Sequence, residues 1–351
     1  MKGSCVPTIN KSSLIDFVQA VFQSAGAPED SARCVSGLLV ASDCAGHASH
    51  GLMRLKQYLE EIESTRLEPR ARPEVSKRTP VTALIDGNHG FGQVTASFAV
   101  EVALEIVSEH GLAAVAMHRT FHFGRLGDYP ERAAKQGWIA LAWANGLRSP
   151  PCVAPFGGVE AALGTNPFAA AIPRPHAAPP IVVDFATSVW AEGKVRVAQK
   201  LGKPVPPETI LDVDGRPSTD PNDFYDGGCL LPIGGHKGYA LSVVCDLLAG
   251  MLTGAGTPCM PDYEGSNSLV LILLDPESFR TSEDFLRDVE QFCEVVTSTP
   301  PGDGVPQVLM PGDPEIQRRS QNSDTVPLDE PTWEFLLEAG RIFSLELPTV
   351  A

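Results

Sequence analysis

Apolar positions in the first fifth of the chain recur at helical spacing. Leu14, Ile15, Val18, Val21 and Phe22 follow a 3.6-residue period. Ser12 or Ser13 is placed to cap that helix, and Gly26 and Pro28 close it. A second helix is expected from Pro28 to about Cys44, with Glu29 and Asp30 in the first turn, where the helix dipole favours acids. A third begins after Ser49 and runs to about Glu63. The Pro- and Arg-rich stretch Leu67–Pro80 reads as a connector.

The rhythm then changes. Val81–Ile85 reads as a strand, Asp86–Gly92 as a Gly-rich turn, and a helix runs from about Thr95 to Gly111, a natural C′ residue. The apolar runs Ala113–Met117, Trp138–Trp143, Ala169–Ile172 and Ile181–Phe185 read as strands, with helices at Asp128–Gln136 and Ser188–Lys200 between them. Pro204–Gly228 reads as a loop with a turn at Asp212–Gly215. Gly238–Thr253 is a strongly apolar helix, Ser268–Leu274 a strand, Glu283–Val296 an amphipathic helix, Thr299–Asp324 irregular, and Glu330–Ala339 a last helix. No internal repeat is present. The layout is mixed α and β, with a helical N-terminal portion.

Composition narrows the function. With 351 residues, 43% hydrophobic and 20% charged, the chain is globular and can hold one large core or two to three smaller ones. A formal charge of −16 argues against nucleic acid and anionic membranes as partners, because both reward clustered Lys and Arg. It leaves a small anionic ligand open, which needs only a local positive group. No run approaches the roughly 18 apolar residues of a membrane span, and Met1–Cys5 leads into no signal-peptide core, so a cytoplasmic location is expected. The eight cysteines, from Cys5 to Cys293, are scattered without a CxxC pair and read as ordinary thiols.

The glycine fingerprint of a Rossmann nucleotide site is absent. Gly90-Phe-Gly92 is followed by Gln93-Val94-Thr95, without the third small residue, and Gly254-Ala-Gly256 follows a helix instead of a strand. Gly193-Lys194 lacks the upstream Gly and the following Ser/Thr of a P-loop. Four other clusters carry candidate chemistry. In His47-Ala-Ser49-His50-Gly51-Leu52-Met53-Arg54, with Ser49 as N-cap, His50 and Arg54 share one helical face. That face is either simply solvated or looks into a cleft, where Arg54 could clamp a carboxylate and His50 exchange a proton. His122-Phe-Gly124-Arg125 follows an expected strand, and a histidine there suits alcohol/ketone proton exchange. Leu163–Pro167 and Asp184-Phe-Ala186-Thr187-Ser188 come next; a strand-to-helix junction at Thr187 and Ser188 could receive a phosphate, or Ser188 could merely cap. In Gly234-Gly-His-Lys237-Gly238, glycines flank a lysine at a helix start, as an anion site or a plain turn would have them.

Taken in order, His47-x-Ser49-His50-Gly51-x-x-Arg54, His122-Phe-Gly124, Leu163-Gly-Thr-Asn-Pro167, Asp184-x-Ala-Thr-Ser188 and Gly234-Gly-His-Lys-Gly238 resemble the motifs of the malate/L-lactate dehydrogenase family, over about Ser12 to Arg319. That family also holds ureidoglycolate, sulfolactate and diketogulonate oxidoreductases and piperideine/pyrroline-2-carboxylate reductases. The resemblance implies an α+β homodimer with a non-Rossmann, mainly antiparallel NAD(P)-binding domain at about 121–299. It also implies a helical domain from 1–80 joined by 300–351, and a connecting α/β part at 81–120. By the same similarity Ser49 and His50 form a proton-relay pair, Arg54 anchors the substrate carboxylate, and Thr165 touches substrate. His122 is catalytic or cofactor-lining. Gly124, Ala186, Thr187, Ser188, Lys237 and Gly238 line NAD or NADP, as does the late loop Pro311-Gly312-Asp313.

The expected reaction is hydride transfer between nicotinamide and C2 of a 2-hydroxy or 2-oxo acid such as malate or L-lactate. Cyclic-imine reduction is the alternative within the family, although Lys194 stands near a position where imine reductases can carry an acid. Two readings come from other classes: a metal enzyme built on His47/His50 and His118/His122, without an HExxH motif, and a silent nucleotide-binding homologue. For a 2′-phosphate, Arg125, Lys194, Arg318 and Arg319 are the available basic groups.

Overall fold

A short strand β1 (Thr8–Asn10) leads into α1 (Lys11–Ser24), whose buried face is Leu14, Phe17, Val18, Val21 and Phe22. The cap is neither Ser12 nor Ser13. Asn10 Oδ1 accepts from the Ser13 N–H at 3.1 Å and from Ser12 Oγ at 2.8 Å, because the asparagine stands just before the first helical residue, Lys11, while both serines already lie inside the first turn. Pro28 then caps α2 (Glu29–Cys44). The structure, a computed structural model, describes residues 7–146, 150–175, 178–263 and 265–350. Cys5 and the Met1–Cys5 start lie outside the described residues.

After Ser49 the chain does not enter an α-helix directly. Two 3₁₀ turns, Ala48–His50 and Leu52–Arg54, precede α3 (Leu55–Glu63), so Ser49 is not an N-cap and His50 and Arg54 do not share a regular helical face. Gly51, extended between the turns at φ −94° and ψ −150°, breaks the helix there. The connector Leu67–Pro80 contains β2 (Glu74–Arg78), an edge strand with all five side chains exposed; without a buried face it carries no alternation to read. β3 (Thr82–Gly90) runs on through the supposed turn as a bulged strand, and α4 (Gly92–His110) starts three residues earlier than expected.

The next elements are β4 (Leu112–Thr120), α5 (Asp128–Ala134), β5 (Ile139–Ala144), β6 (Phe168–Ile172), β7 (Ile181–Phe185) and α6 (Glu192–Lys200). Ser188 begins no helix: Ala191 caps α6, and Ser188 Oγ donates to the Trp190 carbonyl at 2.7 Å. The supposed loop 204–228 contributes β8 (Ile210–Leu211), β9 (Pro217–Ser218) and α7 (Pro221–Tyr225), and with β10 (Cys229–Leu230) forms a small three-stranded sheet. α8 (His236–Cys245) gives way to a π-helical turn, Asp246–Met251, where a single apolar helix was expected. Then come β11 (Asn267–Leu274), α9 (Ser282–Thr297), α10 (Asp313–Gln321), β12 (Thr325–Pro327) and α11 (Glu330–Phe343). α10 corrects the irregular reading of Thr299–Asp324. It buries no residue, so its sequence shows no apolar stripe.

Seven strands form one sheet in the order β2-β3-β4-β11-β5-β6-β7. The pair β3–β4 is parallel, with α4 as its crossover, and the other pairs are antiparallel. α4 and α5 cover the sheet over a core that includes Ile85, Val100, Ile106, Val115, Met117 and Leu271. A second core joins α1, α2, α3 and α11 around Phe22, Tyr58, Phe91 and Phe121. The C-terminal segment returns to these helices, with β12 pairing β1 and α11 packing on α1. None of the described helices is long and apolar enough to cross a membrane.

Candidate active site

A cleft of about 2270 Å³ runs between the N-terminal helices and the sheet. Ser49, His50 and Arg54 line it from the two 3₁₀ turns, His122 and Gly124 from the segment after β4, and Thr165, Ala186 and Ser188 from the loops flanking β6 and β7. Four motifs spread over about 140 residues of sequence thus line one cleft. The turns are held from below by Asp43 of α2, whose Oδ2 accepts the Leu52 N–H at 2.8 Å; burial pushes its carboxyl up to about 7.

Among the described residues neither the His50 nor the His122 imidazole pairs with a carboxylate. Ser49 Oγ and His50 Nδ1 are 3.0 Å apart, and the His50 and His122 rings stack at a centroid distance of 5.7 Å. Arg54 Nε donates to the Ser49 carbonyl at 2.6 Å and Nη1 to Gln57 Oε1 at 2.9 Å, which holds the guanidinium beside Ser49. Burial, and after it the Arg54 charge, push His50 down to about 3 and His122 well below the usual imidazole range. Both rings are neutral at pH 7.

Behind His122 stand two residues that sequence reasoning missed. Tyr58 Oη lies 2.8 Å from His122 Nδ1, donates to the His122 carbonyl at 2.9 Å and accepts from Gln93 Nε2 at 2.6 Å. A hydroxyl has one proton. With that proton on the carbonyl, Tyr58 must accept the Nδ1–H of His122, so the ring's Nε2 is left as an acceptor. Gly92 makes the arrangement possible: a Cβ there would stand 2.2 Å from the Phe121 carbonyl oxygen, so only glycine lets the start of α4 bring Gln93 this close. One signal was available, since Tyr58 falls four residues after Arg54. Gln93 offered none; it sits beside the glycines that fail the Rossmann fingerprint.

Other expected residues lie outside the cleft wall. Thr187 is fully buried and braces Thr165, its N–H and Oγ1 donating to the Thr165 carbonyl at 2.9 and 3.1 Å. Lys237 is exposed on the first turn of α8, and the Gly238 N–H bonds the carbonyl of Ile233, which does line the cleft. Pro311, Gly312 and Asp313 pack against β7, where the Pro311 carbonyl accepts the Val182 N–H at 3.0 Å. Asp313 Oδ2 accepts the Met310 N–H at 2.8 Å. Among the described residues no three His, Cys, Asp or Glu side chains gather closely enough to hold a metal.

Two of the four basic candidates for a 2′-phosphate are committed to carboxylates. Arg125 is 4% exposed and meets Asp128 at 2.9 Å, Asp184 at 3.3 Å and Glu131 at 3.6 Å. Arg319 clamps Glu131 through both oxygens, at 2.6 and 2.9 Å. Burial alone would raise Glu131, yet this clamp and Lys135 hold it at about 2. Asp184 is pushed up to about 6 by burial, against the pull of Arg125.

A family model described as malate/L-lactate dehydrogenase matches residues 9–337. The chain belongs to the malate/L-lactate dehydrogenase family. An L-lactate dehydrogenase of Cupriavidus necator is 37% identical over 347 residues, 97% of this chain and 99% of that protein. Hydroxycarboxylate dehydrogenase B of Escherichia coli K12 is 36% identical over 94% of this chain and 92% of its own length. Among solved structures, the sulfolactate dehydrogenase of Methanocaldococcus jannaschii superposes with a TM-score of 0.88 at 30% identity, covering 97% of this chain and 98% of that one. The Δ1-piperideine-2-carboxylate reductase of Pseudomonas syringae gives 0.84 at 30% identity, over 95% and 99%. The family member described here is an oxidoreductase acting on the CH–OH group of small hydroxy acids.

Proposed function

We propose that the chain interconverts a 2-hydroxy acid and its 2-oxo acid with NAD or NADP, using Arg54, His50 and His122 as its working groups. The observation that carries this reading is the shared cleft: one guanidinium and two neutral, stacked imidazoles face the same space. Bound NAD(P) would supply the hydride exchange at substrate C2. The fit is good on two counts. The cleft exceeds the roughly 300–1,000 Å³ of an ordinary small-molecule pocket, so a dinucleotide and a small acid can lie together. Gly124 and Ala186 keep part of its wall free of bulky side chains. The nucleotide site would then rest on a mainly antiparallel sheet, unlike the parallel sheet of a Rossmann domain.

In this mechanism Arg54 pairs with the substrate carboxylate. That pairing offsets the positive charge which, after burial, depresses both histidines, so substrate binding makes them better bases. His122 takes the hydroxyl proton at Nε2, the nitrogen that its Tyr58 contact leaves as an acceptor. Ser49 and His50 pass a proton along the same wall. The exposed apolar residues Val244, Leu247, Met251 and Leu252 along α8 and its π turn support assembly as a homodimer.

The test is NADH and NADPH oxidation with oxaloacetate, pyruvate, other 2-oxo acids and cyclic imino acids, on wild type and Arg54→Ala. Turnover of 2-oxo acids that falls at least about a hundredfold in the variant is expected, since a charge-assisted bidentate pair is lost. Full activity in Arg54→Ala, or no turnover of any 2-oxo acid by wild type, would overturn the reading.

A further inference from the structure

Two turns carry Ser49, His50 and Arg54, and one residue joins them. The Gly51 N–H closes the first 3₁₀ turn on the Ala48 carbonyl at 3.0 Å. The Gly51 carbonyl opens the second by accepting the Arg54 N–H, also at 3.0 Å. Ser49 and His50 thus stand on one side of this joint and Arg54 on the other. Beneath it α2 ends, and the chain folds back over Asp43, whose carbonyl accepts the Gly46 N–H at 2.9 Å. The Asp43 side chain meets the joint itself. Its Oδ2 accepts the Leu52 N–H at 2.8 Å. A Cβ on Gly51 would overlap Asp43 Oδ1, Cγ and Oδ2, all within 2.5 Å, so the whole carboxyl presses on the glycine. Gly51 has φ −94°, outside the left-handed region that favours glycine. The carboxyl, not a positive φ, is what excludes a side chain there.

The geometry points to Asp43 as a positioning residue for the reaction: its carboxyl, packed on Gly51 and bonded to Leu52, sets the Ser49–His50 turn and the Arg54 turn at a fixed spacing. Asp43 does not line the cleft, so it acts through the joint and not on a ligand. Displacing Gly51 moves Arg54 relative to His50, and a carboxylate held by the first then presents its C2 poorly to the second. A shift on the order of 1 Å between such groups can cost about a hundredfold in rate. The role asks for shape and a hydrogen-bond acceptor, and charge is secondary. Burial pushes the Asp43 carboxyl up to about 7 against the pull of the Leu52 N–H, with Asp329 adding to the rise. A neutral group of the same outline is therefore suited to this place, and an amide supplies both the outline and the acceptor.

This inference rests on the 2-oxo acid reading above, and the experiment separates the two. Steady-state kinetics with oxaloacetate and pyruvate, at saturating NADH and NADPH, would be measured on five proteins: wild type, Gly51→Ala, Asp43→Asn, Asp43→Ala and the double variant Gly51→Ala/Asp43→Ala. Gly51→Ala should lower kcat/KM by about tenfold to a hundredfold, with the 2-oxo acid KM raised and the nucleotide KM within about twofold. In the Asp43→Ala background the same change should cost less than about threefold, because the carboxyl that it strikes is gone. Asp43→Asn should recover most of the activity that Asp43→Ala loses. If Asp43→Ala does not fold, Asp43→Ser takes its place in the same cycle, since it also withdraws the carboxyl from Gly51. Losses that simply multiply in the double variant would overturn the assignment, as would an Asp43→Asn no better than Asp43→Ala. A raised nucleotide KM equal to that of the acid would also overturn it, because the defect would then extend beyond the joint. Wild-type activity in Gly51→Ala would sink the assignment while leaving the 2-oxo acid reading intact. No turnover of any 2-oxo acid by wild type would fail that underlying reading and this assignment with it.

Discussion

Two buried polar regions meet at the cleft and solve the same problem in opposite ways. Around His122 the groups are kept uncharged: neutral imidazoles, a tyrosine hydroxyl and an amide share protons, and burial pushes Tyr58 up, beyond the range in which it could ionise. Around Arg125 and Arg319 the groups stay charged, because each guanidinium meets several carboxylates. Burial costs a lone charge far more than a paired one, so partner number decides the outcome. The second region illustrates this internally. Glu131 has both oxygens on Arg319 and further cations in Lys135 and Arg125, and it is held at about 2. Asp184, which meets the Arg125 edge and accepts one N–H from Gly127, rises to about 6. Neutral groups can exchange protons with a substrate; paired charges can only hold elements in place. The first region is suited to chemistry and the second to docking α10 onto α5.

The sharpest way to separate the regions is to remove a key group from each. His122→Ala should lower kcat by about 10²–10⁴-fold, the usual worth of a general acid–base group, while the denaturation midpoint shifts little. A variant that keeps wild-type turnover would remove His122 from the mechanism. Arg125→Ala should do the reverse. It strands Asp128, Asp184 and part of Glu131 and should cost about 3–5 kcal/mol in chemical denaturation. A loss below about 1 kcal/mol would mean that these acids find water instead.

Acid makes a subtler comparison. His50 sits near 3 in the folded chain against 6.5 ordinarily, so between those values the unfolded chain holds more protons and stability falls as pH drops. Asp184, raised from 3.8 to about 6, works the other way, because the folded chain protonates first in that window. Denaturation midpoints at pH 6.5 and 4.5 should therefore fall less in His50→Asn than in wild type. Equal declines would show that His50 is not the group responsible. The smallest effect belongs to a pair outside both regions. Arg72 meets Asp30 through two hydrogen bonds of 2.7 and 2.8 Å, yet both side chains are at least half exposed. Arg72→Ala should change stability by less than about 1 kcal/mol.

Much of this was readable in the sequence wherever a pattern is local. The apolar period of Leu14–Phe22 became α1 to within a few residues, and Gly111 ends α4 in the left-handed conformation expected of a C′ glycine, at φ 73°. The runs Ala113–Met117 and Ile181–Phe185 became β4 and β7 because a half-buried strand must alternate. Exposed elements escaped: β2 and α10 bury none of their side chains and so carry no period. Local chemistry misled at Ser49, a good cap by composition, where Asp43 below supports a 3₁₀ turn instead.

What the sequence by itself determined was the helical start, most of the strands and the absence of a Rossmann fingerprint, and it offered the candidate groups for binding an acid and moving a proton. Only the tertiary structure decided how those groups combine. Tyr58 reaches His122 across 64 residues of chain, Gly193 presses α6 onto Ser49, and β11 enters the sheet between β4 and β5. The reason is physical. Periodicity and capping are properties of a few consecutive residues. A contact between distant ones depends on how whole elements bury their apolar faces, and no short motif records that.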